Sequence, residues 1–263
     1  MNPALPEFLE QGDGDITVFL LHGVGGGKDG WPETLQALAQ AGYRAIAWGM
    51  PGYGASPIIA PYSILGLALA LEALIDHADS ERNVVLGHSM GGMIAQEACV
   101  LFPEKVHGLI LSCTSPAFGK SGGEWQRKFL QGRFAPLDAG RGMAELAPEL
   151  VRGMVAPDAG AAVIAAAVAL MSRVPEATYR AALSAIVSFD QRGNLANIRV
   201  PALCLAGEHD KNAAPAVMEK MAAHIPGADY RCLAGVGHLA NMEDPDAFNA
   251  AVLGFLKHHF AIT

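Results

Sequence analysis

Short, mainly apolar runs alternate along this chain with longer segments whose apolar residues recur every three or four positions. The runs are Ile16 to Leu21, Tyr43 to Trp48, Asn83 to Leu86, Val106 to Ser112, Ala202 to Ala206 and Tyr230 to Leu233. Each is too short for a helix and is bounded by turn residues, so each predicts a strand. Helical spacing runs through Trp31 to Ala41, Tyr62 to Ala78, Gly91 to Leu101 and Asp246 to Lys257, with Gly42 and Pro103 as stop signals. Strands with no polar face, separated by helices, predict an α/β fold with a mostly parallel sheet covered by helices on both sides. Such a sheet places its ligand site beyond the carboxyl ends of its strands, so the turns that follow the strands are where chemistry is expected.

From Ser115 to about Asp190 the rhythm changes: the patterns are helical, no strand is apparent, and Pro116, Pro136, Pro148, Pro157 and Pro175 divide them. This predicts a helical cap, residues 115–190, inserted into a core made of 1–114 and 191–263. The longest apolar run, Ala159 to Met171, falls inside it. It is shorter than the roughly 20 residues a bilayer span needs and predicts a helix packed on an apolar surface.

The formal net charge of −8, with no cluster of Lys and Arg, argues against nucleic acid or an anionic membrane as partner. A small-molecule substrate is expected, bound by a monomer or a homodimer. Cys99, Cys113, Cys204 and Cys232 lie in or beside apolar runs, without metal-ligand spacing, and predict buried thiols rather than disulfides or a metal site. The N-terminus has neither the basic start nor the apolar stretch of a secretory signal, so a cytoplasmic location is expected.

Four strand ends carry candidate chemistry. Gly87-His88-Ser89-Met90-Gly91 matches G-x-S-x-G between a strand and a helix, a sharp turn that exposes the serine hydroxyl and leaves the Met90 N–H facing developing negative charge. Leu20-Leu21-His22-Gly23-Val24-Gly25-Gly26-Gly27 is a Gly-rich loop able to aim the Val24 N–H at the same place. A phosphate-binding reading of that loop fails because Lys28 is followed by Asp29, not Ser or Thr. Gly235-Val236-Gly237-His238 offers a histidine at a strand end, and Gly207-Glu208-His209-Asp210 offers two acids, Glu208 and Asp210, either of which could fix its tautomer.

These motifs, with Met50-Pro51-Gly52-Tyr53-Gly54-Ala55-Ser56 between them, stand in the order of the α/β-hydrolases, which the chain resembles along nearly its whole length. The resemblance implies a cofactor-independent serine hydrolase in which Ser89 is the nucleophile, His238 the base and Asp210 the acid, with Val24 and Met90 as the oxyanion hole. In the family pattern the acid stands three after the glycine, which selects Asp210 over Glu208. His22, Gly23, Trp31 and Leu239 are the pocket candidates. Gly49 stands where the family usually carries an Asp, and the short N-terminus implies that the family's first antiparallel strands are reduced or absent.

At the subfamily level, Phe189-Asp190-Gln191-Arg192, Ile198-Arg199-Val200-Pro201 and Gly237 to Glu243 resemble the 3-oxoadipate enol-lactonases and similar small esterases. A carboxylic ester or enol-lactone is the substrate this implies. The alternatives are C–C bond hydrolysis of a vinylogous diketone, against which Gly25-Gly26 and Leu239 count, and a non-catalytic ligand receptor on the same fold. An acidic substrate requires a pocket cation, for which Arg127, Arg133, Arg141, Arg152, Arg173 and Arg180 are the cap candidates. His22 and His88 read as structural, His22 holding its loop by hydrogen bonds. His77, His107, His224, His258 and His259 read as surface residues, and Met143, Met154 and Met171 as fillers of core gaps.

Overall fold

The computed structural model describes residues 4–119 and 122–261. Its strands are β1 (Phe8–Gln11), β2 (Ile16–Leu21), β3 (Arg44–Trp48), β4 (Arg82–His88), β5 (Gly108–Ser112), β6 (Ala202–Gly207) and β7 (Asp229–Leu233). The helices outside the insertion are α1 (Pro32–Gln40), α2 (Ile64–Ala78), α3 (Met90–Leu101), α8 (Pro215–His224), α9 (Ala240–Glu243) and α10 (Pro245–His259). Between β5 and β6 come α4 (Glu124–Asp138), α5 (Met143–Arg152), α6 (Ala161–Ser172) and α7 (Glu176–Ile186).

One seven-stranded sheet runs in the order β1-β3-β2-β4-β5-β6-β7, parallel throughout except for β1 against β3. Side chains of β2 alternate between two cores: Val18 and Leu20 join one with residues of α1 and α10, Phe19 and Leu21 the other with residues of α2, α3 and α8. A strand buried on both faces has no polar side to show, which is why its sequence reads as an apolar run interrupted only by the buried Thr17. The register aligns Leu21 with Gly87 and His88 with Ser112, so β2, β4 and β5 end level with one another. Their following loops therefore open on one edge of the sheet, where β6 and β7 also end.

The ends of the insertion are pinned together. Ala117 and Asp190 form an antiparallel bridge, with Phe118 N donating to Phe189 O at 3.1 Å and Gln191 N to Pro116 O at 2.7 Å. The Ala-rich run forms α6, which packs on the core through the buried Ala167 and Met171 and the half-buried Ile164 and Val168, as expected of a helix on an apolar surface. One expectation needs correction. Cys232 is exposed, because β7 is an edge strand with one face uncovered. One antiparallel strand, β1, is present, short and mostly exposed. Among the described residues no single helix is long and apolar enough to cross a membrane.

Candidate active site

Ser89 stands between β4 and α3 with φ 54°, one of three described non-glycine residues at positive φ. The turn closes because the neighbouring positions lack side chains. A β-carbon on Gly87 would lie 2.3 Å from the Gly91 carbonyl oxygen, and one on Gly91 would lie 2.1 Å from that of Leu21. Both contacts are with backbone, which cannot step aside. The serine is locked from both directions: its N–H donates to Ser112 O at 2.9 Å and its carbonyl accepts from Thr114 Oγ1 at 2.7 Å. Backbone strain held this firmly is typical of residues whose side chain must be presented at one place.

His238 Nε2 is 3.0 Å from Ser89 Oγ, and His238 Nδ1 is 2.8 Å from Asp210 Oδ2. A carboxylate can only accept, so Nδ1 carries the proton and Nε2 is left to accept from the serine hydroxyl. The other oxygen of Asp210 accepts the N–H groups of Asn212 at 2.7 Å and Ala213 at 3.0 Å. Burial alone would raise the Asp210 pKa. The hydrogen bond to His238 and the two backbone donors outweigh it and hold the carboxyl below its usual range. Glu208, the rival acid, instead accepts the N–H of Gly235 at 2.8 Å, so it fastens the loop that leads to His238 without touching the ring.

On the far side of Asp210, at the end of β5, lies the buried Cys113. One atom each from Cys113, Asp210 and His238 falls within 4.8 Å, the spacing of a metal triad. Burial first, and the charge of Asp210 second, push the thiol well up, so it remains protonated. A cation would also have to break the His238–Asp210 hydrogen bond, so these residues fit a hydrogen-bonded relay better than a metal centre.

The N–H groups of Val24 and Met90 have no hydrogen-bond partner among the described residues. Met90 opens α3, whose first N–H groups have no intrahelical acceptor. The Val24 loop is held by His22, whose Nδ1 donates to Gly23 O at 2.8 Å while Nε2 accepts Met50 N at 3.0 Å. Tyr53 Oη adds a bond to Val24 O at 2.8 Å. Burial pushes the His22 pKa down to about 4, the bond to Gly23 opposing it, so the ring is neutral as this pattern requires. His88 is different: its Nδ1 is buried with no partner, and its ring lies 4.9 Å from that of His238. Burial, helped by the proximity of His238, pushes its pKa to about 3.

Gly49, where the family pattern calls for Asp, leaves room that Glu7 fills. A β-carbon there would be 2.9 Å from Glu7 Cγ, and Glu7 Oε1 accepts the Ala55 N–H at 3.0 Å. The 49–56 loop is thus braced from outside the motif, a contact that no local pattern announces.

Ser89 and His238 open onto a cavity of about 350 Å³ between the sheet edge and the insertion. His22, Gly23, Trp31 and Leu239 all line it. So do Met154 and Met171, where α6 and the α5–α6 connection roof the cavity. Met171 is at the same time buried in the core with Met143, in keeping with the reading of both as gap fillers. Along α4, Trp125, Phe129 and Arg133 recur at intervals of four and share one helix face. All three line the cavity, with the Arg133 guanidinium 5.5 Å from the Phe129 ring centroid. Of the six cap arginines, Arg133 alone lines it. Arg180, by contrast, is tied to Asp138 and Glu176.

Residues 16–245 match the family described as alpha/beta hydrolase fold. The chain belongs to that family. Over 254 residues it is 30% identical to a protein of Variovorax paradoxus provisionally named a carbamate hydrolase, covering 93% of this chain and 92% of that one. It is also 30% identical over 257 residues to a polyketide synthase of Burkholderia thailandensis, of whose length the match spans only 12%. The crystal structure of the enol-lactonase from Burkholderia xenovorans superposes with a TM-score of 0.84 at 25% identity, covering 95% of each chain. The reading of this α/β-hydrolase as a hydrolytic enzyme, with enol-lactonases among its relatives, agrees with these matches.

Proposed function

We propose that this protein is a serine hydrolase that cleaves a small carboxylic ester or enol-lactone through an acyl-enzyme. The observation that carries the reading is the unbroken chain Asp210–His238–Ser89, with bonds of 2.8 and 3.0 Å, opening onto the cavity. His238 Nε2 takes the hydroxyl proton as Ser89 Oγ attacks the carbonyl carbon. The negative charge that develops on the carbonyl oxygen is met by the free N–H groups of Val24 and Met90, each worth about 100- to 1,000-fold in rate. His238 then returns the proton to the leaving oxygen, and water, activated by the same nitrogen, releases the acid and restores Ser89.

The lining favours an apolar substrate body with an anionic end. Val151, Leu170, Leu183 and Ile186 supply apolar walls, and Arg133 supplies a cation with no carboxylate partner among the described residues. The solved enol-lactonase supports a lactone as one such compound. The test compares wild type with Ser89→Ala on p-nitrophenyl esters and enol-lactones, each in a carboxylate-bearing and a neutral form. The expected result is turnover lost in Ser89→Ala and, in wild type, a higher kcat/KM for the carboxylate form that declines with added salt. Full activity in Ser89→Ala would overturn the mechanism. Equal rates for both forms would overturn the anionic substrate alone.

A further inference from the structure

The three residues Gly237, His238 and Leu239 hang between β7 and α9, and no strand pairs with them. Flanked by glycine, this backbone would be free to drift, yet His238 must meet Ser89 and Asp210 at 3.0 and 2.8 Å. Glu208 holds the start of the loop at Gly235, and one further side chain holds the backbone on both sides of His238. Glu243, the last residue of α9, folds back beneath the loop. Its Oε2 accepts the N–H of Gly237 at 2.9 Å and its Oε1 accepts that of Leu239 at 3.0 Å. The same Oε2 accepts a third N–H, from Ala156 in the α5–α6 connection, at 2.8 Å. Between these bonds the N–H of His238 donates to Met154 O, also in that connection, at 2.8 Å. Contact there is backbone to backbone, since a β-carbon on Gly237 would lie 2.6 Å from both Ala156 N and Met154 O.

A carboxylate accepting three N–H groups forms strong, charge-assisted bonds, and removing it strands three part-buried donors. We infer that Glu243 is a positioning residue, whose carboxylate fixes the backbone on both sides of His238 and joins it to the helical insertion. The inference rests on the reading of His238 as the base. It goes beyond that reading in making the roof of the cavity and the base one mechanical piece: a shift of the 154–156 segment is carried to the imidazole.

The experiment uses Glu243→Ala, Glu243→Gln and Glu243→Asp in the full chain, with competent sites counted by fluorophosphonate titration. Misplacing a reacting group by about 1 Å costs roughly 100-fold, so Glu243→Ala is expected to lose about 10- to 100-fold in kcat per titrated site, with KM within about twofold. Gln keeps its length but offers an acceptor to only one side, and is expected to lose about 3- to 10-fold. Asp, one methylene short, is expected to resemble Ala. A purely structural role would lower the number of competent sites and leave kcat per site unchanged, and that outcome overturns the inference. Rescue by Asp rather than Gln would overturn it in favour of a charge effect. Should Glu243→Ala not fold, the Gln variant decides, and parental kcat per site in it is overturning. Hydrogen exchange supplies a readout independent of any substrate. Peptides covering 150–160 and 235–243 are expected to exchange faster together in Glu243→Gln, and acceleration confined to 235–243 would refute the link to the insertion. This readout stands even if Ser89 proves not to be the nucleophile.

Discussion

Gly23 and Ser89 approach so closely that a β-carbon on Gly23 would lie 2.9 Å from Ser89 Cβ and 3.3 Å from His88 Cδ2. The glycine lets the loop bearing the Val24 N–H lie against the nucleophile. Gly23→Ala is expected to push that loop outward and lower kcat by about 100-fold, the usual effect of losing one oxyanion donor. Circular dichroism and thermal unfolding should remain close to wild type, because the clash is with side-chain atoms at the cavity wall. A variant that unfolds, or one with normal kcat, would contradict this account.

Asp210→Asn is a test of tautomer control. Its amide oxygen can still accept from Asn212 and Ala213, so its NH₂ faces His238 Nδ1 and demands an acceptor there. The proton is thereby forced onto Nε2, the nitrogen that must receive from Ser89. We expect kcat to fall by about 10⁴-fold with little change in stability, read by single-turnover kinetics and chemical denaturation.

Acid should weaken the fold before it reaches the carboxylates. His22 and His88 are buried and neutral, with pKa values pushed from 6.5 down to about 4 and about 3. In the unfolded chain both take up protons near pH 6.5, so below that pH the unfolded state binds more protons than the folded one. Stability is therefore complete above 6.5 and declines as pH falls toward 4, by up to about 1.4 kcal/mol per pH unit for each histidine. Asp210 adds its own loss at still lower pH, as its depressed carboxyl finally protonates. Denaturant midpoints at pH 7.5, 6 and 5 check the slope, and His88→Asn should flatten it. A flat profile in wild type would refute the assignment.

Two glycines should respond in opposite directions to alanine. At Gly91 the new methyl meets the Leu21 carbonyl at 2.1 Å, and a loss of about 3 kcal/mol or more is expected. At Gly254, inside α10, a β-carbon meets nothing within 4 Å, and alanine should stabilise by about 0.5–1 kcal/mol through helix propensity. Urea midpoints of the two variants settle the signs.

The strands β2 to β7 and the strand-end placement of Ser89, Asp210 and His238 were legible because each depends on a short local pattern, while the pairing of Asp210 rather than Glu208 with His238 came from the family resemblance. An apolar run, a turn and a helix start place a side chain at a sheet edge wherever they occur. Contacts made across the chain were not legible. Glu7 and Glu243 act on loops 48 and 87 residues away, through hydrogen bonds no spacing reveals. The edge strand β1 escaped because only Phe8 of its four residues is even part-buried, so no alternation marks it. Helix α8 went unread although Met218, Met221 and Ala222 carry its buried stripe, since the stripe is short and Val217 beside it is exposed. The cavity roof depends on how four insertion helices lie on one another, which periodicity does not contain.

Cys113 has a consequence for how such a site can change over time. It sits at the end of β5 with φ 47°, a backbone state that aspartate tolerates better than most residues, and its sulfur lies beside the carboxylate that orients His238. The ends of two neighbouring strands thus bring a side chain close to the His238 ring, and only one of them currently bears the charge. A lineage could move that charge across by gaining an acid at 113 before losing the one at 210, leaving serine, histidine and cavity in place. The architecture has a spare seat for its acid, held for now by a thiol too deeply buried to ionise.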